Sequence, residues 1–299
     1  MIPKGVDMPI LSDDEFEKIS ERFIYNNFCR SAIDVNESAR DLYKTLKAVS
    51  QTEIGSLILR RIAQYEYFDG REVPIRITDQ SYLPDTADGT CNMFFDDKGS
   101  VQYQQIKIRP TEQGINKQRI LLHELTHTLQ MRQGGDGSFV KYPEKKFAYN
   151  RLMEAEARLN TIKFMDEAIA KNPNINVKEH LCCDERFELD MYRVLRNQGL
   201  CEGELNKRML DRFYENNYWL RDYHDQSTFY SSFYRETTNK DEISLEVSYY
   251  SNISNMTDTF CGRLKLSRDD IAKYMDVKNI PDFNKEDMKP YILPSNRSR

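Results

Sequence analysis

The stretch from Ile115 to Gly135 reads INKQRILLHELTHTLQMRQGG and predicts a long amphipathic helix that ends at glycines. Its leucines form one apolar stripe at helical spacing, made of Leu121, Leu122, Leu125 and Leu129. At about 100° per residue, His123 and His127 point away from this stripe. We therefore expect the leucines to hold the helix to the body of the protein and the two histidines to face a cleft.

The two histidines lie one helical turn apart, so that their imidazole nitrogens can bind a single metal ion. Glu124 stands beside them, where its carboxylate can accept a proton from a zinc-bound water, whose pKa is about 7. Histidine occurs only 4 times in the 299 residues, which makes a chance match improbable. The competing interpretation is an ordinary helix that happens to carry the pattern.

A catalytic zinc ion usually has three protein ligands, so a third must be found. Gln133 occupies the place of the last histidine in the HExxHxxGxxH pattern, which is therefore absent. The next predicted helix, from about residue 147 to 170, carries two acidic candidates. Glu154 falls on its apolar face, where a carboxylate needs a partner such as zinc, whereas Glu156 falls on a polar face. Glu154 is the predicted ligand, replacement by Glu156 stays open, and Arg158 is an alternative ion-pair partner for Glu154.

Two segments upstream of this helix have the alternation and β-branched residues of strands, REVPIRITD at residues 71–79 and GSVQYQQIKIRP at 99–110. The sequence DDKG at 96–99 predicts a turn between CNMFF at 91–95 and the second strand. Together they predict a small antiparallel sheet next to the histidine helix. If residues 101–108 form an exposed edge, this strand can also hold an extended peptide, although a place inside the sheet is equally compatible with the pattern.

Helical patterns fill most of the remaining chain and define an α+β fold class that is mainly helical. The segments Ser12–Glu15 and Ser50–Glu53 match the capping box at a helix start, and Ser267–Asp270 begins a late helix. Four parts are predicted: an N-terminal helical segment at 1–70, a core with the sheet and the histidine helix at 71–175, a C-terminal helical region packed on that core at 176–284, and a loose tail at 285–299.

Composition narrows the classes of partner and compartment. The formal net charge of -5 is not that of a protein that coats nucleic acid, so we expect no nucleic-acid partner. The six cysteines include no CxxC pair, which favours a reducing compartment. The N-terminus has no secretory signal pattern, and no window approaches the roughly 20 apolar residues of a membrane span. We expect a cytoplasmic protein without a membrane partner, while export as an effector without a signal peptide stays open. The oligomeric state is not indicated.

The segment LLHELTHTLQ at 121–130, followed by EAEAR at 154–158, resembles the HExxH zinc metallopeptidases of the gluzincin type. More narrowly, it is similar to bacterial metallopeptidase families of unknown function, in which an HExxHxxQ helix precedes a helix with a Glu-Ala-acid-Ala motif. The resemblance covers residues 101–165, about a fifth of the chain. It implies a zincin-like core with one catalytic Zn²⁺ bound by His123, His127 and Glu154, and Glu124 as general base. Gln130 matches the glutamine of these families.

The implied activity is that of a hydrolase, a metalloprotease that cleaves a protein or peptide substrate with a zinc-activated water. Tyr223 and His224 are candidate donors to the developing oxyanion, although their aromatic-rich segment is also typical of a core or an interface. Two alternatives stay open: a protein-interaction module with a structural or vestigial zinc site, and a zinc amidase that acts on a non-protein amide. An open coordination position favours an enzyme, whereas a fourth protein ligand, such as a cysteine, favours a structural site.

Overall fold

The computed structural model describes residues 9–65, 67–68, 71–80, 83, 88–96, 101–134, 143–215 and 257–276. The chain divides into two compact units, residues 1–133 with 156–199 and residues 134–155 with 200–299. The first unit thus contains most of the predicted N-terminal segment and of the predicted core. The predicted tail at 285–299 lies outside the described residues.

The elements of the first part of the chain alternate helices and short strands. They are α1 Asp13–Ser20, β1 Phe23–Tyr25, β2 Phe28–Cys29, a 3-10 helix at Arg30–Val35, α2 Glu37–Ser50, α3 Glu53–Gln64, β3 Tyr67–Phe68, β4 Arg71–Glu72, β5 Ile75–Asp79, β6 Gly89–Phe95 and β7 Val101–Ile108. Helices follow: α4 Gly114–Gly134, α5 Pro143–Lys171, α6 Val177–His180, α7 Cys183–Asn197, α8 Glu202–Glu215, α9 at 257–264 and α10 Arg268–Met275. The predicted α+β class, mainly helical with a small sheet, is confirmed.

The main sheet has five strands in the order β2-β1-β5-β7-β6, and it is mixed. The predicted hairpin is confirmed, because β6 and β7 pair antiparallel. The prediction that the whole sheet is antiparallel is wrong, because β5 runs parallel to both β1 and β7. Of the two positions left open for residues 101–108, the structure has the one inside the sheet, since β7 lies between β5 and β6. Among the described residues, β6 pairs only with β7, so that β6 is the edge strand.

Strand β1 was not predicted, and it joins β2 through a two-residue turn. Asn26 and Asn27 form this turn with φ angles of 46° and 70°. A two-residue hairpin turn with positive φ at both positions is the type I′ turn, for which asparagine is one of the favoured residues. The Asn26 side chain also holds the end of β5, since its Oδ1 accepts from the backbone amide of Asp79 at 2.9 Å.

Two of the three predicted helix starts are confirmed. Ser12 and Ser267 each cap a helix in a reciprocal capping box. The box predicted at Ser50 is wrong, because Ser50 is the last residue of α2 and its hydroxyl donates to the carbonyl of Lys47 at 2.7 Å. The N-cap of α3 is Thr52, whose hydroxyl accepts from the amide of Gly55 at 3.1 Å.

The second unit has its own packed contacts, which involve α5, α8, α9 and α10. Asn206 donates from its side chain to the carbonyl of Leu264 at 2.8 Å, and the rings of Tyr149 and Phe260 meet edge to face at 5.7 Å. Tyr274 of α10 donates to Asp211 of α8 at 2.9 Å. None of the described helices is both long and apolar enough to cross a membrane.

Candidate metal centre

Helix α4 carries the two histidines and is anchored by its leucine stripe, as predicted. Leu121, Leu122, Leu125 and Leu129 are all buried. Thr126 and Thr128 lie between the leucines, and each donates its hydroxyl to the backbone carbonyl four residues earlier, so that neither is left unsatisfied in the interior. The side of α4 that carries the leucines is therefore packed in the hydrophobic core.

A buried arginine fixes the C-terminal part of α4 to the sheet. Arg132 donates to the side-chain oxygen of Gln104 on β7 at 2.5 Å and to the carbonyls of Tyr65 at 2.8 Å and Val73 at 2.5 Å. Gln104 in turn donates to the carbonyl of Thr128 at 3.3 Å. These bonds set the position of α4 relative to β7, the strand that precedes it in the chain.

The buried Lys117 side chain and two carboxylates fix the N-terminal part of the same helix. The Lys117 ammonium lies 2.9 Å from Asp79 at the end of β5 and 2.8 Å from Asp41 on α2. Burial disfavours the charged ammonium, but the two carboxylates outweigh it, so that the pKa of Lys117 is raised. The histidines are therefore carried by a helix that is held at both ends.

His123 and His127 meet Glu154 of α5 in one group of candidate ligands. The ligand atoms that these residues offer all lie within 4.8 Å of one another, and the two histidine Nε2 atoms are 3.1 Å apart. Two nitrogens bound to one tetrahedral zinc at about 2.0–2.1 Å are expected roughly 3.3 Å from each other. The spacing of the imidazoles thus fits a shared zinc ion, and Glu154, the ligand predicted from the sequence, lies in the same group.

The number and type of the ligands are informative. Among the described residues, His123, His127 and Glu154 form the only group of three or more histidine, cysteine or acidic residues that can hold a metal, and no cysteine belongs to it. Two histidines and one carboxylate are a ligand set of catalytic zinc sites, in which the remaining position is left for water or substrate. Structural zinc sites usually have four protein ligands.

Glu124 is buried beside the ligands and faces the edge strand β6. A Cβ atom added to Gly89 of β6 would lie 2.9 Å from Glu124 Oε1 and 2.6 Å from Ile120 Cγ2, so the strand passes this part of α4 closely. Cys91 lies two residues after Gly89 on the same strand. Burial raises the pKa of its thiol to about 12, and the negative charge of Glu124 adds to this effect. Cys91 is therefore held as a neutral thiol near the Glu124 carboxylate.

Two buried side chains join His127 to α5. Gln130 Oε1 lies 2.8 Å from His127 Nδ1, and Gln130 Nε2 donates to Glu156 Oε2 at 2.8 Å. The prediction that Glu156 lies on a polar face is wrong, since only 2% of this residue is exposed. The structure assigns Glu154 to the ligand group and Glu156 to the hydrogen bond with Gln130. The signal for this contact is the spacing of Gln130 three residues after His127, which puts both on one side of the helix.

Arg158 of α5 pairs with a buried carboxylate of another helix. Arg158, named as an alternative partner of Glu154, donates to the buried Glu188 of α7 at 2.6 Å. Burial raises the pKa of the Glu188 carboxyl, although Arg158 opposes this shift. Tyr223 and His224 lie outside the described residues.

Comparison of the chain with family models, with curated proteins and with solved structures finds no match. The expectation of an HExxH metallopeptidase therefore rests on the motif residues of α4 and α5 and on the group of candidate ligands that these helices form.

Proposed function

We propose that the protein is a zinc-dependent metallopeptidase. The observation that carries the proposal is the group of His123, His127 and Glu154 with ligand atoms within 4.8 Å of one another. Glu124 follows His123 directly in the chain, and its buried carboxylate lies against β6. A three-ligand set with an adjacent buried carboxylate has the components that metal-assisted hydrolysis requires.

Zinc, when bound, would act as a Lewis acid that lowers the pKa of a water molecule bound to it to about 7 and polarises the substrate carbonyl. Glu124 acts as general base: its carboxylate takes a proton from the water whose oxygen attacks the peptide carbonyl carbon. Glu124 then gives this proton to the nitrogen of the scissile bond, so that the C–N bond breaks and a neutral amine leaves. Packing against β6 keeps the carboxylate in one position, which favours both transfers.

The edge strand β6 is the proposed binding surface for an extended protein or peptide substrate. Among the described residues, its outer backbone groups have no strand partner, so a peptide can add to the sheet there. Gly89 of β6 lies against Glu124, so that a peptide paired with this strand runs past the general base. The sequence pattern suggests β7 as the strand that holds a peptide, and the proposal gives this role to β6 instead.

The proposed location is the cytoplasm, with export as an effector as an alternative. All six cysteines are free in the structure, which supports a reducing compartment. No nucleic-acid or membrane partner is part of the proposal.

The first test separates the metal ligands from the general base. Glu124→Gln should retain zinc and lose cleavage, because the amide cannot accept the proton. Glu154→Ala should lose most of its zinc, because only two protein ligands remain. Zinc content is measured by elemental mass spectrometry, and cleavage by mass spectrometry of new peptide termini in a digested proteome. His180→Ala is the matched control, since His180 is outside the ligand group.

Each alternative has its own outcome in this test. A wild-type protein without zinc after zinc-supplemented expression contradicts the proposed metal site. Zinc in the wild type together with identical proteome profiles for wild type and Glu124→Gln rejects the peptidase. Digestion of cell-wall amides by the wild type alone would then identify the zinc amidase, and no difference on either substrate would favour the interaction module.

A further inference from the structure

A chain of three buried side chains connects one histidine of the candidate metal centre to helix α5. His127, Gln130 and Glu156 follow one another at 2.8 Å, first from His127 Nδ1 to Gln130 Oε1 and then from Gln130 Nε2 to Glu156 Oε2. All three residues are buried, so water does not compete freely for these contacts. The other ring nitrogen of His127, Nε2, is the one that faces His123.

The chemistry of the three groups allows only one direction of hydrogen bonding. Gln130 Nε2 donates to Glu156 Oε2, so the side of Gln130 that faces Glu156 is the NH₂ group and the carboxylate oxygen accepts from it. The amide oxygen of Gln130 then faces His127, and this oxygen accepts only. His127 must therefore donate from Nδ1, and its lone pair is at Nε2. The opposite orientation of the amide would set its oxygen against the Glu156 carboxylate in a buried site, which is costly.

We propose that Glu156 and Gln130 form a tautomer lock, in which the carboxylate fixes the orientation of the amide and the amide keeps the proton of His127 on Nδ1. Nε2 of His127 is thereby held unprotonated and aimed at the metal position before any metal arrives. Glu156 and Gln130 are positioning residues, since they act through His127. The inference rests on the proposed zinc site, because the tautomer matters functionally only if Nε2 binds a metal.

The tautomer lock explains why two acidic residues stand so close together on α5. A carboxylate oxygen of Glu154 belongs to the group of candidate ligands. Glu156 instead accepts from Gln130, the side chain that contacts His127 on α4. Partners that orient a metal-binding histidine commonly change metal affinity by 10–100-fold when they are lost. The two carboxylates of the motif EAEAR at 154–158 therefore have different roles: Glu154 is a metal ligand, and Glu156 orients a metal ligand through Gln130.

The direct test is the tautomer of His127 in the metal-free, ¹⁵N-labelled full-length protein. Long-range ¹H–¹⁵N spectra distinguish a protonated Nδ1 from a protonated Nε2, and the chain has only 4 histidines to assign by single substitutions. Spectra are recorded at about pH 8, where an ordinary imidazole is neutral. We expect the Nδ1-protonated form. A wild-type His127 that is protonated at Nε2 overturns the proposal without any variant.

The second test exchanges the two polar groups. In Glu156→Gln, the new amide can accept as well as donate, so the orientation of Gln130 is no longer fixed. We expect a mixture of His127 tautomers and a zinc Kd higher by about 10–100-fold. The double variant Gln130→Glu with Glu156→Gln restores the direction, because the carboxylate at 130 accepts both from Nδ1 and from the amide at 156. It should recover the Nδ1 form and a zinc Kd within a few-fold of the wild type.

A matched control on the same helix is Glu167→Gln, which removes a carboxylate about 16 Å farther along α5. Glu167 binds the backbone amide of Ile54 at 3.2 Å, and its loss should leave the His127 tautomer and the zinc Kd unchanged. The proposal is overturned if Glu156→Gln alone retains both wild-type values, or if the double variant is no better than Glu156→Gln. A wild type that binds no zinc but has the Nδ1 tautomer rejects the proposed function and leaves the tautomer lock intact.

Discussion

The position of the Glu124 carboxylate depends on a residue with no side chain. Gly89 lets β6 approach α4, and a methyl group there would come within 2.6 Å of Ile120 and 2.9 Å of Glu124 Oε1. Contacts this short force a shift of the strand or of the two side chains. Because Ile120 and Glu124 are both buried, we expect the added atom to displace the carboxylate.

Gly89→Ala is therefore expected to impair the proposed catalysis without removing a functional group. Displacement of a catalytic group by about 1 Å can lower the rate 100-fold, so we expect a loss of roughly that size in kcat. Zinc content should stay unchanged, since none of the three ligands lies on β6. The free energy of unfolding should fall by about 1–3 kcal/mol from overpacking, as measured in urea.

The control for this variant is Thr90→Ala, the neighbouring position, whose side chain points to the other face of the strand. It should retain both the cleavage rate and the stability of the wild type to within a small margin. Cleavage by Gly89→Ala at the wild-type rate would show that Glu124 is not constrained by the strand.

At the same scale, the sequence predicted the three candidate ligands and the candidate base, but not the side chains that contact them. The place of Glu154 on an apolar face distinguishes it from Glu156, and the structure places Glu154 near His123 and His127. The helical pattern predicts a polar face for Glu156 only if α5 has a single buried side. In the structure, buried residues lie around much of the circumference of α5. They include Ala148, Leu152, Ala155, Ala157, Leu159, Thr161 and Phe164. A helix enclosed in this way has no solvent face to which a polar residue can be assigned.

At the scale of elements, long periodic segments were predictable and short strands were not. The helices α4 and α5 and the hairpin of β6 and β7 follow from extended patterns. Strand β1 has only three residues, which is too few for alternation to be recognised. The sheet is mixed because β5 runs parallel both to β1 and to β7, and the alternation of a strand does not indicate its direction relative to its neighbours. The pair Asn26-Asn27 is the local signal that could have identified the hairpin, because both residues tolerate positive φ.

The start of α3 gives a prediction at this scale. Thr52, not Ser50, accepts from the amide of Gly55, and this bond satisfies one of the free amides of the first helical turn. Thr52→Ala should lower the free energy of unfolding by about 1 kcal/mol, as measured by urea denaturation. Thr52→Ser should recover most of the loss, because serine is an equally good N-cap. Equal stabilities of the alanine and serine variants would contradict the assignment of the cap.

At the scale of the whole molecule, the candidate site combines residues that are distant in the chain. His123 and His127 belong to α4, which is held by β5, β7 and α2, whereas Glu154 follows on α5 after residues outside the described part. The sequence predicted that these helices meet, because a carboxylate on an apolar face needs a partner. It did not predict the division into two compact units, because the division depends on contacts between remote segments, which local periodicity does not encode.

Zinc that binds ligands on two helices should stabilise the folded chain as a whole. An ion that binds only the folded state, present at 100 times its Kd, adds about 2.7 kcal/mol to the free energy of unfolding. The wild type should therefore unfold at a higher temperature with zinc than with a chelator, and the difference should grow with zinc concentration. Glu124→Gln should keep this shift, since Glu124 is not a ligand. His127→Ala should lose it, whereas His180→Ala should retain it. A zinc-dependent shift of equal size in His127→Ala and wild type would mean that the stabilising ion binds elsewhere.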